Sequence, residues 1–225
     1  MYKIISVGGS IVIPKTGFDI EFLKKFREMI LRRVKKGDKF VLVVGGGATC
    51  RAYQGAARAV VDPTGLELDW LGISATRFNA EFVKLLFRGV VYDKVLVNAS
   101  RKIKTNASVI IASGWKPGCS TDTDTVILAR TYGAKEVVNA SNIDYIYTSD
   151  PKKDVNAKPF KQMTWAELRK IVGNKWVAGT NTPFDPTAAK KAQKMGLKAY
   201  FVKGTDLVEF EKILSGQTHR GTVVI

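Results

Sequence analysis

Apolar runs of strand length alternate with helix-spaced apolar positions along almost the whole chain, and turn residues separate them. Lys3 to Val7 reads as a strand, and so do Phe40 to Val44, Lys94 to Val97, Val109 to Ala112, Glu136 to Asn139, Lys198 to Val202 and Thr222 to Ile225. Helical spacing runs over Asp19 to Lys36, with an Asp cap at its start and Gly37-Asp38 at its end. It returns over Ala48 to Val60, Leu71 to Phe87, Asp122 to Tyr132, Thr164 to about Val172, Pro186 to Met195 and Leu207 to Leu214. Thr164 with Glu167 forms a capping box, and Pro186 stands at the first turn of its helix. Asp62-Pro63-Thr64-Gly65 is a turn, and Lys152 to Pro159 is a polar loop. This alternation predicts an α/β three-layer sandwich, a mainly parallel central sheet with helices on both faces. At 225 residues, with no linker of independent composition, the chain is expected to form one domain.

Composition adds two constraints. No apolar run reaches membrane-spanning length, and Met1-Tyr2-Lys3 leads directly into a strand pattern, so a cytoplasmic setting is expected. Cys50 and Cys119 lack both a disulfide framework and zinc spacing. The formal net charge is +16, which bears on anionic partners and solubility, not on fold. Much of it sits on the 22–36 helix, where a solvated basic face is the bland reading. Nucleic acid stays open as a partner on charge alone, without a motif to support it.

The chemistry is concentrated in three glycine-marked turns at strand ends: Val7-Gly8-Gly9-Ser10, Val44 to Thr49 with Gly45-Gly46-Gly47, and Gly114 to Asp122. Glycine lets backbone N–H groups press against an anion, and a helix starting beyond the turn adds its positive end. Three such turns point to a nucleotide carrying several phosphates. The chain contains no G-x-x-x-x-G-K-S/T and lacks the third glycine of the dinucleotide fingerprint. Its single histidine, His219, stands six residues from the end of the sequence, which disfavours a Ser/His/Asp triad or a histidine metal site. Abundant cations without a histidine base suit transfer between phosphates, where the acceptor oxygen is already anionic.

These motifs, in this order, resemble the amino-acid-kinase family along nearly the whole chain, and within it the archaeal branch that phosphorylates UMP. Gly8-Gly9-Ser10 and Gly45-Gly46-Gly47 with Arg51 are similar to its phosphate loops. Asp69-Trp70-Leu71-Gly72-Ile73 with Arg77 and Asn79-Ala80 follows D-x-x-G-I-x-x-x-R-x-N-A, and Gly114 to Asp122 follows G-x-x-P-G-x-x-T-D. Asn142 to Pro151 resembles N-V-D-G-V-Y-T-x-D-P; Ala178-Gly179 and Asp185 to Lys190 match the closing signature.

The resemblance implies a carbamate-kinase-like sandwich, with an acceptor lobe to about residue 130 and an ATP lobe from about 131. It implies ATP-dependent conversion of UMP to UDP in pyrimidine nucleotide biosynthesis, with Mg2+ held by phosphates and water and not by a protein cage, and a homohexamer. Gly9, Ser10, Gly47 and Arg51 would hold ATP phosphates, and Ser141, Tyr147 and Asp150 its adenosine. Gly46, Asp69, Gly114, Trp115, Lys116, Pro117, Gly118, Cys119, Ser120 and Thr121 would hold UMP. On residues alone, Asp69 also reads as a helix cap before Leu71, Asp185 as a cap for the helix at Pro186, and Tyr147 as core.

The sequence departs from the family in three places. Ser6 stands where many relatives carry a lysine, Tyr145 replaces a glycine, and Asp124 adds a second acid beyond Asp122. Lys116, Lys15 and Lys190 are substitutes for the missing lysine, so the expected catalytic set is Lys116, Asp185 and Lys190. The helix end after Gly47 and nearby cations are expected to lower the pKa of Cys50. A non-catalytic nucleotide sensor or storage assembly on the same fold is the competing reading.

Overall fold

A computed structural model describes residues 1–151, 153–174 and 182–225; Ala178-Gly179 of the closing signature lies outside the described residues. The strands are β1 (Tyr2–Val7), β2 (Lys39–Val44), β3 (Val109–Ala112), β4 (Glu136–Ser141), β5 (Ile146–Tyr147), β6 (Pro159–Phe160), β7 (Gln162–Met163), β8 (Lys198–Lys203) and β9 (Thr222–Val224). The helices are α1 (Gly9–Val12), α2 (Ile20–Lys35), α3 (Gly47–Val60), α4 (Gly65–Leu86), α5 (Thr121–Tyr132), α6 (Trp165–Val172), α7 (Pro186–Met195) and α8 (Leu207–Leu214).

Seven strands form one sheet in the order β3-β2-β1-β4-β8-β9-β7, and β5 pairs separately with β6. The first five run parallel, while β9 is antiparallel to β8. Successive side chains of the buried strands point to opposite faces. Ile4, Val41, Val43 and Ile110 enter a core with α5 to α7 that includes Trp165, Phe184 and Phe201. Ile5, Leu42, Val44 and Ile111 enter a second core with α2, α4 and α8 that includes Phe26, Phe87 and Phe210. The three-layer sandwich is therefore observed. Among the described residues, no helix is long and apolar enough to cross a membrane.

Two boundaries differ from the sequence expectation. Helix α4 begins at Gly65, six residues before the predicted Leu71, because Thr64 and Glu67 form a capping box that the turn-like Asp62-Pro63 pattern hides. Lys94 to Val97 is not a strand: only the isolated bridges Val91–Val109 and Leu96–Ala112 form along that edge of β3. The short elements α1, β5, β6 and β7 were below the length at which periodicity is readable. No non-glycine residue among those described has a positive φ, so the turn at Tyr145 is built without the conformation glycine permits.

The chain order turns back at β1. From β1 the sheet grows through β2 and β3 on one side and through β4 and β8 on the other. In open α/β sheets, ligands bind beyond the carboxyl ends of strands at such a switch point. Here the loops after β1, β2, β3 and β4 emerge there.

Candidate active site

The first two glycine turns are packed backbone to backbone. A Cβ on Gly9 would sit 2.1 Å from the Gly47 nitrogen, and one on Gly47 would sit 2.3 Å from the Gly9 carbonyl oxygen. Gly47 also adopts φ +60°, so both positions demand glycine. Gly8 N–H donates to the Ala140 carbonyl at 2.8 Å, which ties the first turn to β4. Arg51, one turn into α3, donates to Ser10 Oγ at 3.1 Å and so bridges the two loops.

Helix α4 fastens the second and third loops together. Asn79 Nδ2 donates to the carbonyls of Gly45 and Gly46 at 3.0 and 2.9 Å. Thr76 Oγ1 accepts from Gly114 N–H at 2.9 Å. Asp69 Oδ2 accepts from Gly118 N–H at 2.8 Å, and Arg77 donates to the Trp115 carbonyl at 3.3 Å. Asp69, Gly72, Ile73 and Thr76 recur at i, i+3, i+4 and i+7, so one face of α4 lines the cleft. Asp69 is interior to α4, which removes the reading of it as a cap.

The third loop turns at Gly118, with φ +74°, and enters α5 at Ser120. Ser120 Oγ accepts from Thr123 N–H and donates to Asp185. Thr123 Oγ1 also donates to Asp185, at 2.9 Å, while Thr187 N–H donates to its other oxygen at 2.6 Å. Asp185 therefore does cap α7, and the same carboxylate holds the entrance of α5. Its own N–H donates to Asp122 Oδ2 at 3.2 Å.

Asp122 is half-buried at the cleft wall, and its pKa is raised to about 7, first by loss of water and then by the Asp185 carboxylate. Its other contacts are Ser6 Oγ at 3.5 Å and Asn139 Nδ2 at 3.4 Å, and it forms no ion pair among the described residues. Asp124 is likewise raised to about 7 by burial, although it accepts Trp115 N–H at 3.1 Å. The second acid thus anchors the loop from behind.

These elements enclose a cleft of about 720 Å³. Of the predicted residues, Ser10, Gly46, Gly47, Arg51, Asp69, Gly114, Cys119, Ser120, Thr121 and Asp185 line it. Gly9 lies behind it in the glycine contact. Trp115, Lys116, Pro117 and Gly118 shape the third loop without lining the cleft, and Lys116 is exposed, its ammonium over the Trp115 ring at 4.4 Å. Lys190 is exposed on α7, and the α7 charge that reaches the Cys119 thiol belongs to Lys191. Ser141 ends β4; Tyr147 lies on β5, edge-on to Tyr145 at 6.3 Å, and its hydroxyl donates to Asp144. The Asp150 carbonyl accepts from Lys153 and Asp154 at 2.9 Å.

The expected lowering of the Cys50 pKa is reversed. Burial raises both thiols and outweighs Arg51 and Arg58 at Cys50. Thr76, Gln54 and Asn142 line the cleft without having been singled out as ligands. The helical spacing from Asp69 would have found Thr76 had α4 been started at its true cap.

Known proteins share this architecture. A full-length relative from Methanococcus aeolicus named uridylate kinase is 32% identical, over 100% of this chain and 99% of its own. The uridylate kinase of Methanocorpusculum labreanum is 33% identical, over 98% of this chain and 94% of its own. The crystal structure of uridylate kinase from Archaeoglobus fulgidus superposes with a TM-score of 0.83 at 29% identity, with both chains fully covered. The sequence pattern of the amino acid kinase family matches residues 1–203, and with the fold and loops above it shows that the chain belongs to that family.

Proposed function

We propose that this chain transfers the γ-phosphoryl group of ATP to UMP, yielding ADP and UDP. The observation that carries this reading is the convergence of three glycine loops on one cleft, the second and third fastened by α4 and the first by Arg51 and the Gly9–Gly47 contact. The uridylate kinase relatives along the full chain support the choice of acceptor.

In this reading, Gly9, Ser10, Gly47 and Arg51 hold the donor phosphates, with Lys15 also lining that cleft. Ser141, Tyr147 and Asp150 hold the adenosine. Gly46, Asp69 and the 114–121 loop hold UMP. Asp69 keeps one oxygen on Gly118 N–H and offers the other to a ribose hydroxyl, a charge-assisted bond. The acceptor phosphate is already anionic, so the chain supplies no base; its contribution is position and positive charge. Lys116, on a loop held by Asp69, Arg77 and Asp124, would swing its ammonium from the Trp115 ring into the cleft to meet the transferring group, in place of the lysine missing at Ser6. Asp185 fixes Ser120 and Thr123, and through them the start of α5. Magnesium would be carried by the nucleotide phosphates and water. That ion would neutralise charge on the phosphates.

The acceptor lobe runs to about residue 130 and the ATP lobe follows it, in a cytoplasmic homohexamer. Leu66, Trp70, Phe78 and Leu85 are exposed along the outer face of α4, with Tyr53 on α3 beside it, and support subunit pairing there. Light scattering should give six times the 24.8 kDa chain mass; a monomer would contradict this assembly.

The functional test is ADP release with UMP, CMP, AMP, GMP, N-acetylglutamate and isopentenyl phosphate as acceptors. UMP should be preferred. Turnover with another acceptor but not UMP would overturn the assignment, and tight nucleotide binding without turnover would establish the non-catalytic reading instead.

A further inference from the structure

The end of the sheet opposite the cleft carries a row of basic residues that the proposed reaction does not use. Lys39 opens β2 and is the register partner of Tyr2 on β1. Lys135 directly precedes β4, and Lys198, which opens β8, is paired with Glu136. With neighbouring strands about 4.8 Å apart, the three steps from β2 to β8 span roughly 14 Å. Tyr2 lies five residues from the end of β1, so at about 3.3 Å per residue this row is roughly 17 Å from the glycine turns.

The segment after Asn98 adds to the row. Ile103 N–H donates to Tyr132 Oη at 3.1 Å, and Tyr2 Oη donates to the Ala107 carbonyl at 2.6 Å. Lys102 and Lys104 are exposed between these two anchors. Lys102 stands over the Tyr132 ring and Lys39 over the Tyr2 ring, at 5.9 and 5.8 Å, and the two rings meet edge to face. None of Lys39, Lys102, Lys104 and Lys135 forms an ion pair among the described residues. The exposed acid here, Glu136, accepts from Tyr200 Oη. A lysine near a helix C-terminus is ordinary, because the dipole favours it there. Lys39, Lys102 and Lys104 are not on helices, so the dipole does not account for them.

A second cavity, of about 190 Å³, opens beside the row, lined by Met1, Tyr2, Lys135, Glu136, Ile213 and Leu214 among others. It is smaller than the roughly 300 Å³ at which sites for whole small molecules begin. Aliphatic walls with charged edges suit one planar ring with polar edges.

We propose that this end of the molecule binds single-stranded RNA, with backbone phosphates on Lys39, Lys102, Lys104 and Lys135 and one unstacked base in the cavity. The surface is independent of the cleft and of the reaction assigned to it. Tyr132 is buried and Tyr2 half-buried, so these rings seat Lys39 and Lys102, and the row of ammonium groups supplies the positive track that flexible single strands follow.

The test is fluorescence anisotropy of a labelled twelve-residue oligouridylate, with the cleft saturated by UMP and a non-hydrolysable ATP analogue. About three to four phosphate contacts, each contributing a slope near −0.7, predict roughly a 20- to 50-fold loss of affinity from 50 to 200 mM salt. The triple variant K39E/K102E/K135E should lose at least tenfold in affinity while keeping its melting temperature. The control K24E/K25E/K170E, with the same charge change elsewhere, should lose less than threefold. Equal losses in the two variants, release of the RNA by the cleft nucleotides, or equal binding of an acidic peptide would each overturn the proposal.

Discussion

Asp69 does two jobs with one carboxylate, and its substitution separates them. Asn at this position can still accept Gly118 N–H but turns a donor toward the ribose. Asp69→Asn should therefore raise the KM for UMP about ten- to hundredfold with kcat nearly kept, the roughly 1.5–3 kcal/mol of a charge-assisted bond. Asp69→Ala, which also frees the loop, should lower kcat as well. Unchanged UMP kinetics in both variants would remove Asp69 from the site. Lys116 is the residue on which the missing lysine bears most directly. Lys116→Ala should lower kcat at least tenfold with a smaller change in KM, and Lys190→Ala, on α7 five residues past Asp185, should do less. A severe loss in Lys190→Ala alone would move the cation to α7. For the thiols, burial decides the sign: both are raised, so modification should be slow at neutral pH and accelerate as pH rises. Both cysteines line the cleft, so ATP with UMP should protect them; equal rates with and without nucleotide would contradict that placement.

At the scale of elements, α4 joins the second and third loops, and Arg51 of α3 with the Gly9–Gly47 contact adds the first. The Asn79 side chain of α4 holds loop backbone and does not line the cleft, so its loss should act through loop position and not through lost ligand contacts. Asn79→Ala leaves two carbonyls unpartnered and should weaken binding of both nucleotides together, with a lowered melting temperature. Much of this was legible in the sequence. The glycine triplets, the Asp185 cap and the motif from Asp69 to Ala80 were readable because each depends on local chemistry: a residue without Cβ, a carboxylate before Pro, a helical spacing. The start of α4 was missed because Pro63 masks the Thr64–Glu67 box. The strand at Lys94 failed because that edge pairs with β3 at single residues only. The direction of the Cys50 shift was unreadable for a different reason: it depends on how deeply tertiary packing buries the thiol, which adjacent cations do not reveal.

For the whole molecule, the two acids in the first turn of α5 make stability depend on pH in an unusual direction. Asp122 and Asp124 titrate at about 7 when folded, against about 3.9 in an unfolded chain. Between those values the folded state holds more protons, so stability falls as pH rises from about 4 to 7 and then levels off. Asp124→Asn keeps an acceptor for Trp115 N–H and removes the buried charge. Its melting temperature should exceed that of the parent at pH 8 and differ little at pH 4; a lower value at pH 8 would contradict the burial argument. The sheet brings the loops after β1 to β4 to one cleft, where the proposed reaction moves the γ-phosphoryl group of ATP to UMP. A single-turnover reaction with ATP labelled in the γ-phosphate, excess enzyme, magnesium and UMP follows that group itself. Label should appear in UDP, at a rate reduced at least tenfold in Lys116→Ala. Label recovered only in ATP or inorganic phosphate, with UMP bound, would overturn the assignment.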